Sequence, residues 1–152
     1  MSQSTTIQVS AEELLRLQRR RKQCNQAVLA DAPARRRRLA LYVRTMPGVD
    51  PESWFEPLRL EAARQGWKVG HEIHDDCGPL APQQSPGWLR ARKLQHEGYV
   101  DGVLIPDRSH ISQDPAEYET ELRFACERLC VTALLRPEAG HAETGSPCSP
   151  DR

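Results

Sequence analysis

The stretch LALYVRTMPG, residues 39–48, decides the fold. Its first five residues are all apolar, which predicts a strand covered on both faces, as in a parallel sheet between two layers of helices. The apolar run ends at Arg44, and Pro47 and Gly48 predict a loop soon after it. A strand that ends in an arginine and a short loop is a common location for a functional site.

Beyond this stretch, helical and strand patterns alternate along the chain. The patterns WKVGHEI (67–73), YVDGVLI (99–105) and CVTALL (130–135) predict further strands. Helices are predicted between them, at 52–65, from Ser85 and Pro86 to Gly98, and from Asp114 and Pro115 to about Leu129. This alternation predicts an α/β fold with a parallel sheet of about four strands and helices on both faces, in a flavodoxin-like three-layer arrangement.

A basic helix is predicted before the first strand. Ser10 and Glu13 form a capping-box pattern, and the helix would extend over about residues 11–30. Its apolar positions form a narrow stripe that Arg21 interrupts. We therefore predict three regions: a basic N-terminal helix and linker at 1–37, the α/β domain at 38–136, and a disordered tail at 137–152.

The net charge of zero conceals an asymmetry along the chain. Residues 1–44 hold ten Lys/Arg and three Asp/Glu, whereas residues 45–152 hold eleven and eighteen. No apolar run approaches the roughly 20 residues that cross a bilayer, so we expect a cytoplasmic protein without a membrane partner. The five cysteines contain no Cys-x-x-Cys pair and the histidines show no ligand spacing, so we expect neither a metal nor a cofactor.

Polar residues follow three of the predicted strands. Arg44 ends the first, Asp75 follows the second, and Asp107 and Arg108 follow the third. Because the carboxyl ends of parallel strands meet at one edge of a sheet, these side chains should lie close together. We expect an anion site there, in which Arg44 and Arg108 face a phosphate and the carboxylates hold the arginines in place.

Four short motifs stand in order in the predicted domain: LYVRTM (41–46), IHDDCG (73–78), SPGW (85–88) and VDGVLIPDRSHISQD (100–114). Together they resemble the N-terminal catalytic domain of the serine recombinases, the resolvase/invertase family. The matching family elements are a Tyr-x-Arg-x-Ser strand, an aspartate-bearing loop, the start of a helix, and a strand that leads into an Asp-Arg pair. The resemblance covers about residues 38–136 and implies a resolvase-like fold and a role in DNA recombination.

The resemblance also implies which residues occupy the catalytic positions. In the family, a serine hydroxyl attacks a DNA phosphodiester while arginines neutralise the phosphate and stabilise the transition state. Arg44, Asp75, Asp107 and Arg108 stand at family-equivalent catalytic positions of this chain. The serine position holds Met46, whose thioether has no proton to lose and cannot form the phosphoester.

Two further cationic positions of the family hold Ser85 and Ile111 in this chain. The loss of the serine and of two arginines implies a degenerate member that is catalytically impaired, with the four retained residues as vestiges of the family's site.

Three functions stay open at this point. In the first, a catalytically impaired domain binds DNA, forms a homo-oligomer or pairs with an active recombinase. In the second, an active strand-exchange enzyme uses a substitute nucleophile such as Thr45, Ser109 or Ser112, although strand alternation turns Thr45 to the face opposite Arg44. In the third, the chain is a protein-interaction module that does not bind DNA, because its acidic body, residues 45–152, repels phosphates.

The basic N-terminal region discriminates between these functions. Its eight clustered cations are Arg19, Arg20, Arg21, Lys22, Arg35, Arg36, Arg37 and Arg38. They could contact DNA phosphates without sequence preference. Alternatively, they solubilise the helix and the linker, or pair with the acidic body of the same chain.

Overall fold

The computed structural model describes residues 9–31 and 36–139. Within them the four helices are α1 (Ala11–Asp31), α2 (Glu52–Gln65), α3 (Pro86–His96) and α4 (Pro115–Glu127). The four strands are β1 (Arg38–Arg44), β2 (Lys68–Asp75), β3 (Gly102–Ile105) and β4 (Val131–Leu134). All the strand pairs are parallel and the order across the sheet is β2-β1-β3-β4, which confirms the predicted α/β class.

Helices cover both faces of the sheet, as predicted. Alternate residues of the central strand β1 enter two separate apolar cores, because successive side chains of a strand point to opposite faces. Tyr42 packs with Trp88 of α3 and with residues of α4, while Leu41 packs with Phe55 and Leu58 of α2. The apolar run that begins at Leu39 is therefore buried throughout.

Two strand boundaries differ from the prediction by two residues or more. The strand predicted at 67–73 continues through Asp75, because Asp75 still pairs with Arg44 in the parallel ladder. The strand predicted at 99–105 begins only at Gly102. The residues before it complete the end of α3 instead, since the Tyr99 N–H donates to the Leu94 carbonyl at 2.9 Å.

Helix α1 packs against the edge of the sheet formed by β4. Its Asn25 side chain hydrogen-bonds to both backbone groups of Thr132, donating to the carbonyl at 2.8 Å and accepting from the N–H at 3.0 Å. An unpaired strand edge exposes such groups to further strands, and a side chain that bonds both of them closes the edge. Leu17 is buried in the core on the α4 face and Val28 in the core on the α2 face. The predicted basic helix is thus part of both cores.

A buried ion pair explains why a charged residue interrupts the apolar stripe of α1. The Arg21 guanidinium donates to Glu138 through Nε at 2.7 Å and through Nη2 at 3.1 Å. Glu138 also accepts a hydrogen bond from the buried Tyr118 hydroxyl, and both members of the pair are less than 10% exposed. Ala139 is buried as well, and its N–H donates to Gln18 at 2.9 Å. The tail predicted at 137–152 therefore starts with residues packed on α1, and its part from residue 140 lies outside the described residues.

Removing one member of this pair should destabilise the protein strongly. Glu138→Ala leaves the Arg21 charge buried without its counter-ion, and we expect the free energy of unfolding to fall by about 3–5 kcal/mol in urea titrations. The matched control is Glu61→Ala, which breaks an exposed pair with Arg64 and should cost under about 1 kcal/mol. Equal effects of the two substitutions would contradict the structural role of Arg21.

Candidate functional site at the carboxyl edge of the sheet

The structure brings the predicted site residues to one edge of the sheet but divides them into two groups. Arg44 and Asp75 end neighbouring strands and pair in the ladder. Asp107 and Arg108 lie in the turn that follows β3, where they hydrogen-bond to other residues of that turn and to Arg136. The carboxyl edge therefore carries one network around Arg44 and a second around Asp107.

Arg44 is held by protein groups on several sides. Its Nη2 donates to the Ser85 hydroxyl at 2.6 Å and its Nη1 donates to the Leu80 carbonyl at 2.5 Å. Nε and Nη2 both lie 3.3 Å from the Tyr42 hydroxyl oxygen. The residue is only 8% exposed. The guanidinium predicted to face a phosphate thus fixes the loop between β2 and α3 to strand β1.

Asp75 is the buried acceptor at the centre of this network. Its carboxylate accepts the Tyr42 hydroxyl at 2.6 Å, the Gly87 N–H at 2.8 Å and the Trp88 N–H at 3.0 Å. The last two are unpaired donors of the first turn of α3, where the helix dipole favours a negative charge. A Cβ on Gly87 would lie 2.7 Å from the carboxylate, so glycine is required at this position. Burial and the Asp75 hydrogen bond raise the pKa of Tyr42, which keeps its hydroxyl neutral as a donor.

Ser85 stands directly before α3, but its side chain does not cap the helix. Its hydroxyl donates to the Ala81 carbonyl at 2.9 Å and accepts from Arg44, while no side-chain cap bond forms. The remote carboxylate of Asp75 takes the capping position instead.

His110, which follows the third strand directly after Asp107, Arg108 and Ser109, is a further member of the site. Its Nδ1 accepts the Arg44 backbone N–H at 2.9 Å, and its ring stands edge-on to Trp54 with centroids 5.1 Å apart. Burial lowers the pKa of His110 to about 4. The ring is therefore neutral at pH 7, and because Nδ1 accepts a hydrogen bond, its proton is on Nε2.

Asp107 and Arg108 brace the turn that presents this histidine. Asp107 accepts the Ser109 N–H at 2.9 Å, the Ser109 hydroxyl, and Arg136 Nη2 at 2.7 Å. Arg108 Nη1 donates to the carbonyls of Ser112 and Gln113, at 3.0 and 2.9 Å. Both residues predicted for phosphate binding make contacts that shape their own loop.

The position of the family's nucleophile lies on the surface. Met46 is 58% exposed, whereas its neighbour Thr45 is 7% exposed. The Thr45 hydroxyl lies 2.8 Å from His74 Nε2 and 2.9 Å from the Met46 carbonyl that accepts it. His74 pairs with Val43, whose side chain belongs to the core on the α2 face, so Thr45 faces away from the Arg44 guanidinium as strand alternation predicts.

A cleft of about 300 Å³ opens at this edge, between the loop after β2 and the start of α4. Asp114 and Glu117 line it together with Arg44, whose guanidinium is already hydrogen-bonded. Two carboxylates beside one occupied arginine disfavour a phosphate. Ile111, at a cationic position of the family, is fully buried in the core on the α3 and α4 face.

Among the described residues, no group of three or more His, Cys, Asp or Glu side chains is arranged to hold a metal ion. None of the helices of the described part of the chain is long and apolar enough to cross a membrane.

The clustered cations of the N-terminal region are distributed between the interior and the surface. Arg21 and Arg37 are buried, and Arg37 Nη2 donates to the Val28 carbonyl at 3.3 Å. Arg20 lies 3.4 Å from Glu119 of α4. The cations that remain exposed are Arg19, Lys22, Arg36 and Arg38, while Arg35 lies outside the described residues. Arg20 and Arg21 thus pair with the acidic body of the chain, which was one of the alternatives.

The fold is similar to that of known recombinase domains. The N-terminal catalytic domain of TP901-1 integrase matches with a TM-score of 0.58 and 18% identity, over 64% of this chain and 76% of that chain. The C-terminal catalytic domain of ISC1926 TnpA, an IS607-like serine recombinase, matches with a TM-score of 0.58 and 20% identity, over 70% and 75%. The first ORF in transposon ISC1904 from Sulfolobus solfataricus P2 gives 0.50 and 13%, over 66% and 67%. No protein-family model and no curated protein matches the sequence. The chain therefore has the fold of serine recombinase catalytic domains, which confirms the fold that the four motifs imply.

The lowered pKa of His110 makes stability depend on pH. The neutral ring stabilises the folded state fully above its unfolded pKa of about 6.5, and this contribution is lost as the pH falls toward 4. From pH 7 to pH 5 we expect a loss of about 2 kcal/mol in the free energy of unfolding. His110→Asn keeps an acceptor for the Arg44 N–H without titrating, so the loss should shrink in urea titrations of this variant. An unchanged pH dependence would contradict the assignment.

Proposed function

We propose that this chain is a cytoplasmic serine recombinase-type domain that binds DNA without cleaving it. The observation that carries this proposal is the state of Arg44: its guanidinium is hydrogen-bonded to Tyr42, Leu80 and Ser85, beside an exposed Met46 where the family has its serine. The retained residues of the family pattern hold the fold together at this edge.

Cleavage by the family's mechanism needs a nucleophile, a set of cations and a cleft whose charge favours a phosphate. Met46 offers no ionisable proton. Ile111 is buried among apolar side chains, so the second family arginine has no counterpart. The cleft is lined by Asp114 and Glu117, which oppose the approach of a phosphodiester. All three requirements are unmet at this edge.

A second candidate function is strand exchange with Thr45 as substitute nucleophile, and one contact favours it. The Thr45 hydroxyl lies 2.8 Å from His74 Nε2, within reach of a general base. However, the hydroxyl proton points to the Met46 carbonyl, and the side chain is almost fully buried on the face opposite Arg44. We therefore assign to Thr45 the role of bracing the loop after β1.

DNA binding rests on the exposed cations and on the fold. Four exposed cations of the predicted basic set are available to phosphates: Arg19, Lys22, Arg36 and Arg38. Such contacts give affinity without sequence preference and weaken as salt rises. By analogy with recombinases we also propose that the chain pairs with a second copy or with an active recombinase. A protein-interaction module without DNA binding is the alternative that a binding experiment decides.

A covalent-adduct assay tests the absence of cleavage. The chain is incubated with supercoiled plasmid and labelled random-sequence duplex, then denatured and examined for nicks and for DNA-linked protein by mass spectrometry. We expect no adduct for the native chain, and none for Met46→Ser, because Arg44 stays bound to protein groups.

The same assay on Thr45→Val separates the alternatives. An adduct of the native chain that disappears in Thr45→Val would establish the substitute nucleophile. An adduct formed by Met46→Ser would show that the edge has kept its catalytic competence and would contradict the proposal. As a positive control for the detection of adducts, an active serine recombinase is assayed on DNA that contains its own site.

A further inference from the structure

Exposed cations gather at the edge of the sheet opposite the candidate site, where the strands begin. We name this surface the amino edge and define it by Arg36, Arg38, Lys68, Tyr99 and Arg128, all of which are exposed. Lys68 and Arg128 lie outside the basic N-terminal region, so the sequence did not indicate them. The fold brings them next to it.

Backbone hydrogen bonds place these residues in a row. The Lys68 N–H donates to the Arg37 carbonyl at 2.8 Å, the Asp101 N–H to the Arg38 carbonyl at 2.6 Å, and the Val131 N–H to the Asp101 carbonyl at 2.8 Å. The starts of β2, β1, β3 and β4 thus follow one another across the edge. Since strands lie about 4.8 Å apart, the row is about 14 Å long.

Three of the four cations of the row, Arg36, Arg38 and Arg128, are positioned by contacts with the scaffold. Arg36 Nε donates to the Gly66 carbonyl at 3.0 Å. The stem of Arg38 lies across Gly70, where a Cβ would be only 2.7 Å from Arg38 Cγ. Arg128 stacks on the Phe124 ring, its guanidinium carbon 3.8 Å from the ring centroid.

Arg92 stacks on the same ring at 3.5 Å, so Phe124 holds two arginines. Long side chains fixed in this way lose less rotamer freedom when they bind a ligand.

Three acidic residues of the described part of the chain lie near the four cations of the row, and one of them is hydrogen-bonded to Arg38. Asp101 accepts the Arg38 backbone N–H at 2.8 Å, and Glu97 and Glu127 are exposed at the ends of α3 and α4. Attraction to helix C-termini accounts for a cation such as Arg128 at the end of α4. It does not account for Arg38 and Lys68, which begin strands.

We infer that the amino edge is the surface that binds the phosphate backbone of duplex DNA. This inference rests on the proposed function and names its binding surface. A row of about 14 Å spans about four successive phosphates of one strand, which advance about 3.4 Å along the duplex axis per nucleotide. Tyr99 is the one exposed aromatic side chain of the row, at 60%, and a single ring is not the stacking platform that binds single strands. The carboxyl edge, with its acidic cleft, then faces away from the DNA.

Charge-neutralising variants of the full chain test this surface. Arg38→Gln/Lys68→Gln/Arg128→Gln should weaken binding to a labelled 20-base-pair duplex by at least tenfold at low salt. It should also reduce the slope of log affinity against log salt by about 3, close to 0.9 for each lost contact. The matched control Arg90→Gln/Arg123→Gln/Arg136→Gln removes three exposed cations elsewhere and should retain native binding. Thermal unfolding verifies that each variant is folded.

The outcomes separate this inference from the proposed function. If the triple variant binds like the native chain while Arg19→Gln/Lys22→Gln loses binding, the surface is wrong but DNA binding stands. If the native chain does not bind duplex DNA at low salt, both fall. If the native chain binds vesicles of anionic lipid through the amino edge and not DNA, the inference is overturned in favour of a membrane surface.

Discussion

The hydrogen bonds of the Asp75 carboxylate are the interaction on which the carboxyl edge depends. The carboxylate accepts the Tyr42 hydroxyl and the first N–H groups of α3, and Tyr42 in turn contacts Arg44. These donors are buried, so losing their acceptor would leave several of them unsatisfied at once. Because this network holds a strand, a loop and a helix together, it stabilises the fold whether or not a nucleophile stands at position 46.

The two edges of the sheet differ in how their arginines and carboxylates are hydrogen-bonded and exposed. At the carboxyl edge, Arg44 is hydrogen-bonded to protein groups and the adjoining cleft carries Asp114 and Glu117. At the amino edge, Arg38 and Lys68 begin their strands exposed to solvent. The fold therefore keeps its hydrogen-bonded frame at the carboxyl edge, while Arg38 and Lys68 lie exposed at the opposite ends of their strands.

The alternating apolar runs were enough to predict the sheet, its helices and the edge where Arg44 and Asp75 meet, because strand and helix periods are local properties of the chain. The docking of α1 on the sheet was not predictable from the sequence, because Arg21 interrupts the apolar stripe of the helix. The ion-pair partner of Arg21, Glu138, lies 117 residues away in a segment whose composition indicates disorder. The hydrogen bonds of the Arg44 guanidinium were not predictable either, because one of their acceptors is the backbone carbonyl of Leu80. The position of His110 after the third strand was visible in the sequence, but its role was not, because that role depends on the backbone N–H of Arg44.

The most direct test of this account is a titration of isotopically labelled chain with a short DNA duplex, followed through the chemical shifts of backbone amides. The account predicts shifts at the amino edge, around Lys68, Tyr99 and Arg128, and unchanged signals around Arg44 and His110. Shifts centred on Arg44 and His110 with none at the amino edge would contradict it, because DNA would then approach the edge that its own network and acidic cleft close to a phosphate.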